Sequence, residues 1–571
     1  MGYAHDYAAA IMQRGRIPME PADFVPDWAD RPRKAKFYPG VESFPLPDPD
    51  IPAQATVAAG CPGPRGPRGA DDAGEPPLPS RAFTLDTLSG MLRDSYGLTG
   101  RRLGVQTNTD LAALPHYTEA NWSRGTASGG GLYPVGVYWV SGPSGPRAPG
   151  IHYYNAHHHA MQRLLTGEVT GEVRAALGDT DGAHDQFLVL GIKYWQNAFK
   201  YNSFSFHAVT MDLGAILGTW RLWARAQGLS VEPALWFDEK RLSHLLGVNN
   251  EEEGVFAVVP LSWDGAESPP AAPRPAGPRP AAPPPTAPRP VAPPPAVGEA
   301  PGAAPAVRHT DSERSRTVLD FETLRRIHTA TTEAATDRPA PGALAPAAAV
   351  PPRATGAPVP LPAPELPAVT VREALRERRS SFGRFDAGRP VTPAQLGATL
   401  HACSAASLGS EAERPASPAA TGTPGLVTQY AFVNHVEGVE PGAYAYDPTA
   451  HALLPVVSGP PGPFLQRNYF LSNYNLEQAG VVIVPTIRTA AVLDAVGDRG
   501  YRLVNGVIGA VAQTFYTVAT ALGLGAGVAL GFDNISYIEE LGLERTGEKP
   551  LLIMLLGNER PRPADFRYEI V

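Results

Sequence analysis

The chain has 571 residues, a length that accommodates three or four ordinary domains, but its 63 Pro and 58 Gly mean that much of it cannot be packed core. A net charge of −8 and a pI near 6.0 exclude the basic footprint that nucleic acid or an anionic membrane requires, and leave a small molecule or a peptide as the ligand class. The only cysteines, Cys61 and Cys403, supply neither a disulfide framework nor metal-ligand spacing; no metal is assigned, and a reducing, cytoplasmic compartment fits.

Residues 1–80 read as a Pro-rich extension with one helix near 5–14. Asp6 precedes a short apolar run at 8–12 and Arg14 and Arg16 follow it, the wrong order for a signal peptide. No stretch is read as a membrane span. From 81 to 265 helices and strands alternate, which makes the class α+β. This unit has an amphipathic helix carrying Leu85, Leu88, Met91 and Leu92, strands at 135–140, 187–192 and 255–261, and a long helix at 208–227. Residues 266–366 form a linker. Its Ala-Pro-Arg-Pro repeats between 268 and 296 favour extended polyproline II, whereas Val318, Phe321, Leu324, Ile327 and His328 fall at helical spacing and predict a docked helix at 316–332. A second unit, 367–571, has helices at 371–377, 393–402 and 503–522 and strands at 429–434, 480–485 and 550–557.

The two units are copies. Pro-Gly-Ile-His-Tyr-Tyr-Asn at 149–155, with His159-Ala160-Met161 after it, matches Pro-Gly-Ala-Tyr-Ala-Tyr-Asp at 441–447, with His451-Ala452-Leu453 after it, at an offset of 292 residues. Gly214-Ala215 and Gly509-Ala510 match at 295. A single long period marks a duplicated domain rather than a short-repeat solenoid. The alignment also places His157-His158-His159 in a hairpin turn rather than a metal site. Trp195, Trp220 and Trp223 are read as core or interface aromatics.

In the second copy, Arg378-Arg379-Ser380 closes the first helix, Arg384 follows, and Arg560 and Arg562 follow the last strand. Guanidinium forks and a hydroxyl suit a phosphate. Between them, 522–527 reads as a Gly-rich loop in which Gly525 and Gly527 open backbone donors to a flat ring. The first copy has none of these cations, but carries Arg124-Gly125-Thr126-Ala127-Ser128-Gly129-Gly130-Gly131-Leu132-Tyr133-Pro134 and the pair Lys200-Tyr201. At the position of that pair the second copy has Asp494-Ala495-Val496.

The order of RRSSFGRF, an apolar helix ending in LGLGAG, GFD and a strand running into an Arg tail resembles the FMN-dependent nitroreductase superfamily. SGGGLYP and the Lys-Tyr pair are similar to its SagB-type azoline dehydrogenases, which oxidise thiazoline and oxazoline rings in ribosomally made peptides. The resemblance implies two nitroreductase-like domains paired as an intrachain pseudo-dimer, with FMN at their interface. It also implies an azoline-bearing peptide as substrate and cyclodehydratase partner proteins. Lys200 and Tyr201 are then the catalytic pair. Arg378, Arg379, Ser380, Arg384, Gly525, Gly527, Arg560 and Arg562 of one module and Arg124, Ser128, Gly129 and Gly130 of the other bind the flavin. Since each module keeps only its part, one composite site per chain is expected.

Two alternatives stand beside this reading: an NAD(P)H-dependent reductase of nitroaromatics or quinones on the same fold, and a non-catalytic flavin scaffold that binds a leader peptide or partner enzymes. The expected pair also meets a geometric difficulty. Neighbours on a helix do not share a face, so one of the two takes the proton and the other hydrogen-bonds to it or to the substrate, unless the backbone bends there.

Overall fold

The computed structural model describes residues 2–61, 81–106, 116–179, 182–265, 304–417, 425–561 and 567–569. Arg562 and the Pro-rich repeats lie outside these residues. Two antiparallel sheets dominate. The first runs Ser43–Pro45, Ala160–Thr166, Gly150–Asn155, Val135–Ser141, Gln186–Lys193, Glu253–Pro260. The second repeats its five main strands in the same order, Ala452–Ser458, Gly442–Asp447, Val427–Val433, Val481–Ile487, Ile553–Gly557, with Val359–Pro360 at one edge and Gly525–Ala529 at the other. The correspondence extends to irregularities. The register shifts between Ile151 and His152 in one sheet and between Ala443 and Tyr444 in the other. His159 (φ 46°) and His451 (φ 49°) take the same left-handed turn, each with Nδ1 within 2.9 Å of the hydroxyl of the tyrosine five residues earlier. This is the hairpin expected at 157–159.

Central strands such as Val-Val-Ile-Val at 481–484 are β-branched and buried along their length, because each sheet is covered on both faces. A long helix lies against each sheet. In Ser205–Arg225 all residues but Arg221 and Arg225 are buried, and in Gly500–Ala521 all but Thr520. The latter is long and apolar enough to cross a membrane, contrary to the expectation that no stretch would be, but 94% of its apolar window is buried within the protein. A helix apolar all round is covered all round, and here the two long helices cover each other.

They meet through glycine. A Cβ at Gly214 would run into the carbonyl of Gly506, and one at Gly509 into the carbonyl of Met211. Under the 295-residue offset these two contacts are each other's counterparts, which is the reciprocity of a two-fold interface. One continuous apolar cluster consequently runs through both halves, from Leu88 and Trp220 to Leu503 and Phe515.

The described part of the linker is not a slack tether. Lys193 pairs with Asp311 and Glu313, and Trp195 Nε1 donates to Ser315 Oγ. The docked helix forms as Glu322–Glu333, starting later than expected because part of 304–320 is engaged by such contacts outside any helix; Leu324, Ile327, His328 and Thr331 are its buried face. Arg499, which caps the start of the second long helix, and Arg502 within it reach across to Glu239 of the first half at 2.9 and 3.0 Å, and they also bond this linker helix through Thr331. All three charged side chains are at most 1% exposed. Burial opposes the charge on Glu239, but Arg502 and Arg499 outweigh it and hold the carboxyl down at about 2.

Two elements depart from the sequence reading. Gly525–Ala529 is a strand paired with Ile553–Gly557, not a loop. A small third sheet, Leu98–Gln106 with His116–Arg124 and Arg567–Glu569, joins the end of the chain to the first half.

Candidate functional site

The helix Trp195–Tyr201 ends at the expected pair. Tyr201 already leaves helical geometry (φ −108°, ψ 3°), and Asn202 follows at φ 41°, a left-handed conformation that Asn tolerates better than most residues. This bend removes the geometric difficulty. Both side chains turn to Gly130: a Cβ there would lie 2.7 Å from the Tyr201 hydroxyl oxygen and 2.8 Å from Lys200 Nζ. Gly130 has φ 64°, so a side chain is disfavoured by conformation as well as by space. The Lys200 ammonium also lies 4.7 Å from the Tyr201 ring centroid and 5.8 Å from that of Trp28.

The glycine turn that the pair faces is held from below by Asp212, a residue that the motifs did not reveal. Its carboxylate accepts from Ser128 Oγ at 2.6 Å and from Gly129 N at 2.8 Å, and Ser128 Oγ in turn accepts from Tyr133 N at 2.9 Å. Burial pushes the Asp212 carboxyl up to about 7, and the two hydrogen bonds only partly offset it. The signal available was a lone acid in an otherwise apolar helix stretch, since a buried carboxylate must find donors. The folded chain keeps this carboxyl protonated to higher pH than the unfolded chain does. It therefore favours folding most below pH 3.8 and progressively less as pH rises towards 7. Asp212→Asn removes the titration, so the melting temperature of the variant should fall less than that of the parent between pH 4 and pH 7.5. Equal slopes would show that Asp212 is not the titrating group.

Ser128 and Gly129 are thus tied to Asp212 within their own half, and Arg124 is placed otherwise than expected. Its guanidinium is buried between the rings of Tyr96 and Tyr133, at 4.6 and 4.3 Å, where it stiffens the turn rather than facing a ligand.

In the second half Arg378 is likewise engaged. Its Nε donates to the Gly125 carbonyl at 2.7 Å and its Nη2 to that of Arg124 at 3.1 Å, so this guanidinium clamps the two halves together. Gln513 of the second long helix adds to the clamp, accepting from Ala127 N at 2.9 Å and donating to Gly125 O at 3.2 Å. Arg379 pairs with Glu559. Ser380 Oγ lies 2.9 Å from the Tyr516 hydroxyl. The backbone of Arg384 receives the Arg560 N–H at 2.8 Å, so the two basic segments expected to act together do adjoin. Arg560 is exposed, and its guanidinium donates to Gln478 at 3.1 Å. Gly525 and Gly527 are small for another reason than the one expected. A side chain at Gly525 would meet Glu559 and Ser381, and one at Gly527 would meet the Tyr474 ring at 2.6 Å.

Ser380 and Arg384 follow the first helix of the second half, and the Arg560 N–H bonds the Arg384 carbonyl; a hydroxyl and guanidiniums are donors that suit a phosphate monoester. These residues fit a flavin mononucleotide. Arg378 and Arg379 fit it only if they exchange their present partners. The place in the second half that corresponds to Lys200 is occupied differently: the exposed Asp494, on the helix Thr489–Val496, lies 3.0 Å from His5 of the N-terminal helix Tyr3–Gln13. Among the described residues no group of three or more His, Cys, Asp or Glu could hold a metal ion.

A family model described as Nitroreductase family matches residues 375–558. MJ1384 of Methanocaldococcus jannaschii, which carries a nitroreductase name, is 31% identical over 204 residues, 34% of this chain and 94% of that protein. A solved structure from Anabaena variabilis ATCC 29413, also named for a nitroreductase, covers 98% of this chain and 100% of its own at a TM-score of 0.64 and 20% identity. That likeness extends the fold, and only the fold, over both halves. A chain of the E. coli microcin synthetase McbBCD complex with truncated pro-MccB17 bound matches 32% of this chain and 70% of its own at 20% identity, with a TM-score of 0.27, too low to bear on function. The fold and the relatives define an α+β oxidoreductase. The chain belongs to the nitroreductase family, a family of flavin oxidoreductases.

Proposed function

We propose that the chain is an FMN-dependent dehydrogenase that converts azolines to azoles in a ribosomally made peptide, through one composite site of an intrachain pseudo-dimer. The observation that carries this reading is the convergence of Lys200 and Tyr201 on Gly130, in a turn whose preceding residues are clamped by Arg378 and Gln513 of the other half. Making an azole removes a proton from the carbon beside the peptide carbonyl and a hydride from the neighbouring ring carbon. Bound FMN supplies the hydride acceptor, which no side chain can be. Ser380, Arg384 and Arg560 would hold its phosphate.

The protein's own part is the proton. A substrate ring lying on the Gly130 turn presents its acidic carbon to Lys200 Nζ and the Tyr201 hydroxyl together: one, as the free amine or the phenolate, takes the proton, and the other hydrogen-bonds to it or to the substrate carbonyl. Asp212 fixes the floor on which this happens, and the clamp on Gly125 excludes water from the junction. A reductase of nitroaromatics or quinones has no substrate carbon to deprotonate, and the convergent pair favours the dehydrogenase over it. Under anaerobic conditions an azoline peptide should bleach the bound flavin at a rate that matches turnover, and NADPH should not. Rapid bleaching by NADPH with none by the peptide would support the reductase instead.

A further inference from the structure

The N-terminal extension reaches the same place. Its Trp28 stacks edge-on against Phe199 at 5.4 Å and 88°, stands 5.8 Å from Lys200 Nζ, and still leaves 49% of its surface exposed. The segment around it is fixed, not merely adjacent. Ser203 Oγ donates to the Glu20 carbonyl, Asp30 accepts from Arg316 N and Thr317 N at 2.8 and 2.9 Å, and Arg33 donates to the Ser312 carbonyl at 2.7 Å. The chain from 20 to 33 is therefore tied at one end to the residues that follow Tyr201 and at the other to the linker. An indole held this firmly with half its surface open is unlike a core aromatic. Rigid, amphipathic aromatic surface is what flat ligands stack on at low entropic cost.

We propose that Trp28 is a substrate-positioning residue: its exposed indole receives a planar heterocycle of the peptide beside Lys200, and so selects ring-bearing peptides over isolated small acceptors. The inference rests on the reading of Lys200 and Tyr201 as the pair that faces the substrate. The Tyr201 ring, its centroid 4.7 Å from Lys200 Nζ, is a second aromatic beside the same side chain. The extension then belongs to the active site as well as to the fold, in which its Ser43–Pro45 forms the edge strand of the first sheet.

The test is equilibrium binding, which does not depend on turnover. A short fluorescently labelled peptide carrying one thiazole is titrated by anisotropy into the full-length, flavin-loaded parent and its Trp28→Ala and Trp28→Phe variants. The same peptide with serine in place of the ring serves as the control. Trp28→Ala should weaken binding of the thiazole peptide about ten-fold and leave the control unchanged, and Trp28→Phe should restore most of the loss. Equal affinity of parent and Trp28→Ala for the thiazole peptide overturns the proposal, as does an equal loss for both peptides, which would mark a structural role. A thiazole peptide that binds through Trp28 while its azoline form is never oxidised leaves this inference standing and refutes the dehydrogenase.

Discussion

Lys200→Ala and Tyr201→Phe should each slow azoline oxidation by roughly 10²–10⁴-fold, the usual contribution of a positioned proton-transfer group, while the protein keeps its flavin and its melting temperature. The separation of effects follows from geometry. Both side chains face Gly130, whereas Ser380 bonds the Tyr516 hydroxyl, the Arg384 carbonyl receives the Arg560 N–H, and Arg378 clamps Gly125. If both act on one proton, the double variant should be little slower than the worse single one, because residues that act as a unit are not additive. Loss of flavin in either variant would make the pair structural, and unchanged turnover would remove it from the reaction.

Glu239→Ala should destabilise the chain by about 3–5 kcal/mol, since it leaves Arg499 and Arg502 buried at the junction without their carboxylate. The parent should also lose this contribution in acid. Glu239 titrates at about 2 in the folded chain against 4.5 unfolded, so its contribution is present above pH 4.5 and disappears as pH falls towards 2. His328, which burial lowers from 6.5 to about 4, adds a loss between those values because the unfolded chain takes up its proton first. Chemical denaturation at pH 7 measures the first effect, and a stability profile from pH 7 to pH 2 the second. A Glu239→Ala variant within 1 kcal/mol of the parent would mean that water reaches the cluster.

How much of this could be read from the sequence depended on how each residue earns its place. The duplication, the long helices and the main strands were legible because apolar periodicity and repeated motifs are local signals. Lys200 and Tyr201 were legible only as a pair. Their convergence depends on where a seven-residue helix ends and on Gly130 of a distant turn lying within reach of both, neither of which periodicity reports. Gly525 and Gly527 suggested a loop because glycine weakens strands, whereas they are small to admit Glu559 and Tyr474 from elsewhere in the chain. Arg378 is the clearest lesson. An Arg at a helix end suits an anion and a carbonyl alike, and only the fold showed Gly125 of the other half beneath it. Asp212 and Arg502 share a weaker signal that could have been used, since charged residues set in apolar stretches must be paired across the molecule, whereas Glu239 and Arg499 stand among other charged residues and gave none.

The central claim is that the two halves build one site between them, with the phosphate held by the second and the proton handled by the first. Flavin released from the purified full-length chain, quantified by absorbance against protein concentration, tests it most directly. The account predicts one FMN per chain, reduced to well under half by Ser380→Ala combined with Arg384→Ala and unaffected by Lys200→Ala. Two FMN per chain would contradict it.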